Sequence, residues 1–267
     1  MIVKLGVASG RVHGVEIDTA FFSGNEAQAV SVQGCFEPGE GADERVKGEG
    51  YAGWREVLGR RACGPSRRQA WRVESGVEVT HVRLCMYPDG GIARFRLYGV
   101  VVPVWPQDRG EEVELSAAVM GGVAVGCSDE HFGKMGNLLL PGRGGDMGDG
   151  WETRRSREKG HEDWVVVRLG ARGRVGRVVV DTRHFLGNFP RGVRVEGCEV
   201  GEGEEVPGAG DGRWVEVLGV VAMRPDEMHE FGRGELRNVE ERGYTHVKMT
   251  MIPDGGVKRL RIFGTRT

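Results

Sequence analysis

Long apolar runs are missing from this 267-residue chain. None nears the ~20 residues a helix needs to cross a bilayer, and mean hydropathy is −0.35, so a membrane-spanning protein is excluded. The N-terminus, Met1-Ile-Val-Lys-Leu-Gly6, has no basic n-region, no long apolar h-region and no small-residue cleavage site, so no secretory signal is visible. A basic excess is also absent: the formal net charge is −2, which argues against a nucleic-acid partner. Cysteine is sparse and odd in number, with Cys35, Cys63, Cys85, Cys127 and Cys198 and no CxxC. Free, mostly buried thiols in a reducing, cytoplasmic compartment fit this better than a disulfide framework. The seven histidines form no HxxxH pair and no Cys/His cluster has zinc spacing, so no metal site or cofactor is expected, although carboxylates are plentiful enough for a loosely held divalent ion. No G-x-S-x-G nucleophile elbow occurs. Gly-x-Gly runs such as Gly201-Glu-Gly203 lie in acidic loops and do not read as nucleotide sites.

Glycine, in contrast, is abundant: 46 residues against a usual ~7%, scattered between Val-rich runs. Helix signals are poor and strand signals strong. In 80–87, Val82, Leu84 and Met86 alternate with His81, Arg83 and Cys85, the period of a half-buried strand. Pro88-Asp-Gly-Gly91 reads as a turn in which Pro fixes φ and the glycines accept positive φ. The return strand puts Phe95 and Leu97 inward and Arg94 and Arg96 outward. The same hairpin recurs with Val247, Met249 and Met251, then Leu260 and Ile262 inward and Arg259 and Arg261 outward.

That recurrence extends through the chain. Val15-Glu-Ile-Asp-Thr19 returns as Val178-Val-Val-Asp-Thr182, Phe22-Ser-Gly-Asn25 as Phe185-Leu-Gly-Asn188, Gln33-Gly-Cys35 as Glu196-Gly-Cys198, and Thr80-His81 as Thr245-His246, at an offset near 163. One domain is duplicated. The prediction is an all-β protein of two tandem sandwich or jelly-roll domains, with 1–104 as the first repeat, 105–124 as a linker and 125–267 as the second repeat. Acidic stretches near 37–50 and 199–211 read as long solvated loops. The copies differ at their start. Ser128–Phe132, Gly136–Pro141 and Gly145–Arg157 precede the second and have no counterpart before the first. The expectation is an N-terminally shortened, incomplete first sandwich, whose exposed sheet edge would favour a homo-oligomer.

Asp149-Gly-Trp-Glu-Thr-Arg-Arg155, Asp163-Trp164, Asp181-Thr182-x-x-Phe185-x-Gly-Asn-Phe-Pro190 and Pro253-Asp-Gly-Gly-x-x-Arg-x-Arg261 together resemble the allantoicase family, over roughly 2–99 and 125–264. The resemblance implies jelly rolls of the galactose-binding-like type and hydrolysis of allantoate to ureidoglycolate and urea in purine breakdown. The departure is at the start of the first domain, where another Gly-Trp-Glu-like stretch would be expected.

Allantoate carries a carboxylate and two ureido groups on one carbon. Its hydrolysis calls for a cation on the carboxylate, best an Arg with its two-point fork, an acid for the departing nitrogen and a base for water. Arg154 is the candidate for the carboxylate, and Glu152 for ureido N–H groups or proton transfer. Without the resemblance, a surface ion-pair ladder is the simpler reading of Glu152-Thr-Arg-Arg155. His184 is a candidate because its counterpart is Phe21: a position apolar in one copy and titratable in the other points to chemistry, while a His filling a Phe-sized space is the plainer alternative. Asp181 and Asn188, shared with Asp18 and Asn25, read as turn chemistry. By their place in the matched motif they join Arg155 as substrate-binding candidates. Arg94, Arg96, Arg259 and Arg261 could line an anion pocket, but because both copies carry them a structural role, bonding carbonyls or carboxylates, is the preferred reading. Asp129-Glu-His131 could reach the site from a loop or be a simple turn. The rival readings are a non-catalytic β-sandwich ligand-binding module and an inactive, shortened chain.

Overall fold

Alternating Val, Ile and Leu make pleated strands with one apolar face. In a computed structural model describing residues 1–74 and 76–267, the regular structure is almost wholly of such strands, joined by long loops. Two compact units form, Met1–Val104 and Trp105–Thr267. Among the described residues no helix is long and apolar enough to cross a membrane.

The first unit runs β1 (Ile2–Lys4), β2 (Ser9–Asp18), β3 (Ala29–Cys35), α1 (Ala42–Lys47), β4 (Arg55–Ala62), β5 (Arg68–Arg72), β6 (Glu78–Val79), β7 (His81–Tyr87) and β8 (Arg94–Val102). One antiparallel sheet has the order β1-β7-β3-β4. In the other, β2 lies between β8 and the pair β5 and β6. Val12, Val15 and Ile17 from one layer meet Val30, Val32, Leu58, Val82 and Leu84 from the other. The acidic stretch 37–50 is not all loop. It carries α1, whose Ala42 and Val46, one helical turn apart, are buried.

The second unit runs β9 (Val113–Glu114), β10 (Val123–Cys127), β11 (Trp151–Glu152), β12 (Asp163–Asp181), β13 (Gly192–Cys198), β14 (Val215–Ala222), β15 (Met228–Phe231), β16 (Tyr244–Ile252), β17 (Gly256–Val257) and β18 (Arg259–Arg266). β12, 19 residues long, serves both layers. Its first part pairs with β10 and β16, its last with β15 and β18. Glycine in its middle admits a close neighbour: a Cβ on Gly170 would lie 2.0 Å from the Met120 carbonyl oxygen. In the first unit the same path is divided between β1 and β2.

Residues 105–124, expected as a linker, are part of this unit. β9 pairs with β18, and Leu115 is fully buried. Ser116 Oγ accepts the Ile262 N–H at 2.8 Å. Leu115 lies where Gly173 and Gly264 carry no side chains, a fit that local periodicity does not announce. The two cores are unequal. The second adds Leu115, Leu138, Leu139 and Trp151, for which the first has no counterpart among the described residues. Met251 is accordingly buried, whereas Met86, expected on the inner face, is 41% exposed.

The units also anchor equivalent arginines differently. Arg261 meets Glu114 of β9 at 2.8 Å. Arg96, without such a strand beside it, meets Glu16 of β2 at 2.6 Å, and Glu16 also accepts from Arg68 and Tyr98. The Arg68 hydrogen bond leads in holding the Glu16 carboxyl down to about 2, against the burial that would raise it. A carboxyl lowered in the folded state stabilises above its unfolded value, and that contribution fades as pH falls toward the folded value. The melting-temperature gap between wild type and Glu16→Gln should therefore be widest above pH ~4.5 and close toward pH ~2. A gap independent of pH over that window would remove Glu16 as the anchor.

Candidate active site

An Asp-Thr pair ends β12 and shapes the loop that follows. The Asp181 carboxylate accepts the Arg183 N–H at 3.0 Å, the Thr182 hydroxyl donates to Arg224 O at 2.6 Å, and Phe185 N–H donates to Thr182 O at 3.0 Å. His184 then takes φ of 70°, with its N–H on Asp226 Oδ1 at 2.7 Å. The first unit repeats each step. Asp18 accepts from Ala20, Thr19 donates to Gly64 O, Phe21 has φ of 69°, and its N–H meets Ser66 Oγ at 3.3 Å. The backbone is thus dictated by the fold, and only the ring differs. Phe21 is 98% exposed, while His184 Nε2 is buried without a hydrogen-bond partner.

The Pro-Asp-Gly-Gly turn meets this loop. Only its first glycine needs positive φ, 138° at Gly255 and 129° at Gly90. The second is required by space, because a Cβ on Gly256 would lie 2.0 Å from the Phe185 ring, as one on Gly91 would from Phe22. Gly256 N–H bonds Asn188 O at 2.7 Å, and β17 then pairs Gly256 with Glu152 and Val257 with Trp151. Glu152 is thereby brought to Asn188, whose Nδ2 donates to Glu152 Oε1 at 2.5 Å. Trp151 is fully buried and its indole N–H bonds Asp129 O at 2.9 Å. The Asp129 carboxylate accepts the Arg154 N–H at 2.8 Å and the His131 N–H at 3.2 Å. Its Oδ1 lies 3.4 Å from Arg154 Nε. Burial pushes the Asp129 carboxyl up, but these N–H donors and the Arg154 charge outweigh it and hold it below the usual range.

Three buried charges, Asp181, Lys258 and Arg259, lie close to these elements. Arg143, itself exposed, grips Asp181 through two bonds of 2.7 and 2.9 Å. Arg259, expected to point outward, is 1% exposed. Residues 142–149 cover it, and it donates to Gly142 O at 3.0 Å, Asp149 O at 2.7 Å and Asp149 Oδ2 at 3.2 Å. Lys258 is buried beside it and contacts Asp149 Oδ1 and Asp146 O. Burial leads in pushing the pKa values of Lys258 and Arg259 down, and a neighbouring guanidinium adds to it in each case.

Of the six candidates, Glu152 and Asn188 are in direct contact, Asp181 is the last residue of β12, and His184 lies on the loop that runs from there to Asn188. Arg154 turns to Asp129 with an exposed side chain, and Arg155 is exposed. Reading the sequence missed Arg143, Asp149 and Lys258. The contrast that singled out His184 also applies to Lys258, whose counterpart is Ala93. Arg143 sits in a Gly-rich run with no pattern to mark it. Among the described residues, no three His, Cys, Asp or Glu side chains gather as a metal-holding group.

A family model, the allantoicase repeat, matches residues 1–102 and 113–267. The allantoicase of Neurospora crassa is 52% identical over 269 residues, covering 100% of this chain and 74% of that protein. The allantoicase of Saccharomyces cerevisiae is 46% identical, covering 99% of this chain and 76% of its own length. The crystal structure of the yeast protein superposes with a TM-score of 0.81 at 44% identity, over 98% of this chain and 76% of that one. The doubled loop geometry, the matched repeats and the shared fold agree: the chain belongs to the allantoicase family.

Proposed function

We propose that this chain hydrolyses allantoate to ureidoglycolate and urea, with the chemistry at the end of the second unit where Glu152 meets Asn188. Water adds its oxygen to the central carbon as the C–N bond to one ureido group breaks. One proton goes to the departing nitrogen, which leaves as urea, and the carbon keeps the hydroxyl of ureidoglycolate. Glu152 and His184 share the acid and base roles. Asn188 orients the Glu152 carboxylate, and Arg154, with Arg155 beside it, offers its guanidinium to the substrate carboxylate while Asp129 steadies it. Asp181, held by Arg143, keeps the His184 loop in place. The observation that carries this placement is the 2.5 Å bond between Asn188 and Glu152, which ties the residue with proton-transfer chemistry to the loop bearing the imidazole. The buried, unpartnered His184 Nε2 supports the same reading, because an unsatisfied ring nitrogen costs about 1–3 kcal/mol and gains a partner when substrate enters. All five cysteines are free thiols, which fits work in the reducing cytoplasm. The sheet edges of the first unit favour assembly of several copies.

A colorimetric assay of ureidoglycolate and urea formed from allantoate by the purified chain tests the reaction. His184→Ala should cut kcat by roughly 100-fold or more, the lower end for a proton-transfer residue, with the melting temperature within a few degrees of wild type. Near-normal turnover in that variant would remove His184 from the site.

A further inference from the structure

Lys258 is one of only six lysines in the chain and has no exposed surface. It sits at the junction of two short features. On one side β17 ends at Val257. On the other, its ammonium contacts the Asp149 carboxylate and the Asp146 carbonyl oxygen. Asp149 closes the turn Met147–Asp149 and, one glycine later, the chain enters β11 with Trp151 and Glu152. β11 has only two ladder positions, Trp151 opposite Val257 and Glu152 opposite Gly256. A pair of strands that short does not fix its own geometry in water.

Resting on the hydrolytic reading above, we propose that Lys258 is a positioning residue for the reaction: by holding Asp149 it sets where the Glu152 carboxylate stands against the His184 loop. The contact pattern closes a clamp, with Glu152 on Gly256 at one end and Asp149 on Lys258 at the other. Arg259 reinforces it with its bonds to the Asp149 carbonyl and carboxylate. The duplication supplies an internal comparison. The first unit has no counterpart of residues 142–152 among those described, and the lysine position there is Ala93. Its neighbour Arg94 is exposed and bonds the Ala93 carbonyl oxygen at 2.7 Å. The buried cation is thus present in the copy that has a segment to hold. An ammonium removed from water is strongly unfavourable unless it is paired, and the groups beside it here are the Asp149 carboxylate and the Asp146 carbonyl oxygen.

The test uses the full chain with Lys258→Ala and with Lys258→Met, which keeps the length of the stem. Hydrogen-exchange mass spectrometry and steady-state urea release are the two readouts. Amides of 149–153 should exchange at least tenfold faster while those of β13 and β16 keep their rates. The kcat should fall at least thirtyfold with KM within threefold of wild type. Lys248→Met is the control for a merely structural lysine. Lys248 is also buried, pairs with Glu196 at 2.9 Å and lies outside the site, so its loss should lower the melting temperature and leave kcat unchanged. Wild-type exchange over 149–153 in Lys258→Met, or uniform acceleration across the unit, overturns the proposal. If neither lysine variant folds, Asp149→Asn, altering the less buried partner, is read by the same criteria. If the unaltered chain releases no urea, the hydrolytic reading falls and the exchange pattern alone decides the clamp.

Discussion

Glu152→Gln should leave a folded protein that no longer releases urea. The amide keeps the shape of the carboxylate, and its oxygen still accepts from Asn188 Nδ2, the one bond the Glu152 side chain makes to another side chain among the described residues. What disappears is the negative charge and the capacity to take and return a proton. General acid–base residues contribute about 10²–10⁴ in rate, so a fall in kcat of about 1,000-fold is expected, near 4 kcal/mol of barrier. Stability should barely move. One hydrogen bond is worth about 0.5–1.5 kcal/mol net and is largely retained, so the melting temperature should shift by no more than about 3 °C. Steady-state kinetics beside a thermal melt would check both. Turnover within threefold of wild type would place the chemistry elsewhere in the unit.

Trp151→Ala should act in the opposite way, through the fold. The indole is fully buried in the second core with Leu138, Leu139 and Val257. Truncating a buried aromatic costs about 3–5 kcal/mol, and the Asp129 carbonyl oxygen that accepted the indole N–H loses its partner. At roughly 2–4 °C per kcal/mol for a unit of this size, the melting temperature of the second unit should fall by about 10 °C or more. Activity should fall with it even below the transition, because Trp151 anchors the strand that carries Glu152. Calorimetry would show the loss in the second unit's transition. A drop under about 3 °C would mean that the 142–152 segment is held mainly by its charged contacts.

The duplication, the antiparallel strands and the two turn motifs were legible in the sequence, because each rests on local patterning or on comparing one copy with the other; that the Pro-Asp-Gly-Gly turn meets the Asp-Thr loop was not, since Gly256 and Asn188 lie far apart in the chain. Asp181 was read correctly as turn chemistry from local patterning: its bond to Arg183 N–H spans two residues. Its grip by Arg143, across 38 residues, has no local signature. Arg259 alternates with inward Leu260 and therefore read as outward. Only the return of residues 142–149 over that face buries it. Leu115 escaped notice because a strand of two residues, β9, has no period to detect. The Glu152–Asn188 contact lay between these extremes: both residues were chosen, but their bond depends on the space between Gly256 and Phe185.

The left-handed backbone shared by Phe21 and His184 has an evolutionary consequence. Each loop is held by its own N–H, hydroxyl and carbonyl contacts, none of which involves the ring at that position. The socket is built before the fitting is chosen. After the gene doubled, the two sockets were free to carry different rings, a plain aromatic in one and an imidazole in the other, without disturbing the scaffold. A new chemistry could thus be installed at little risk to folding.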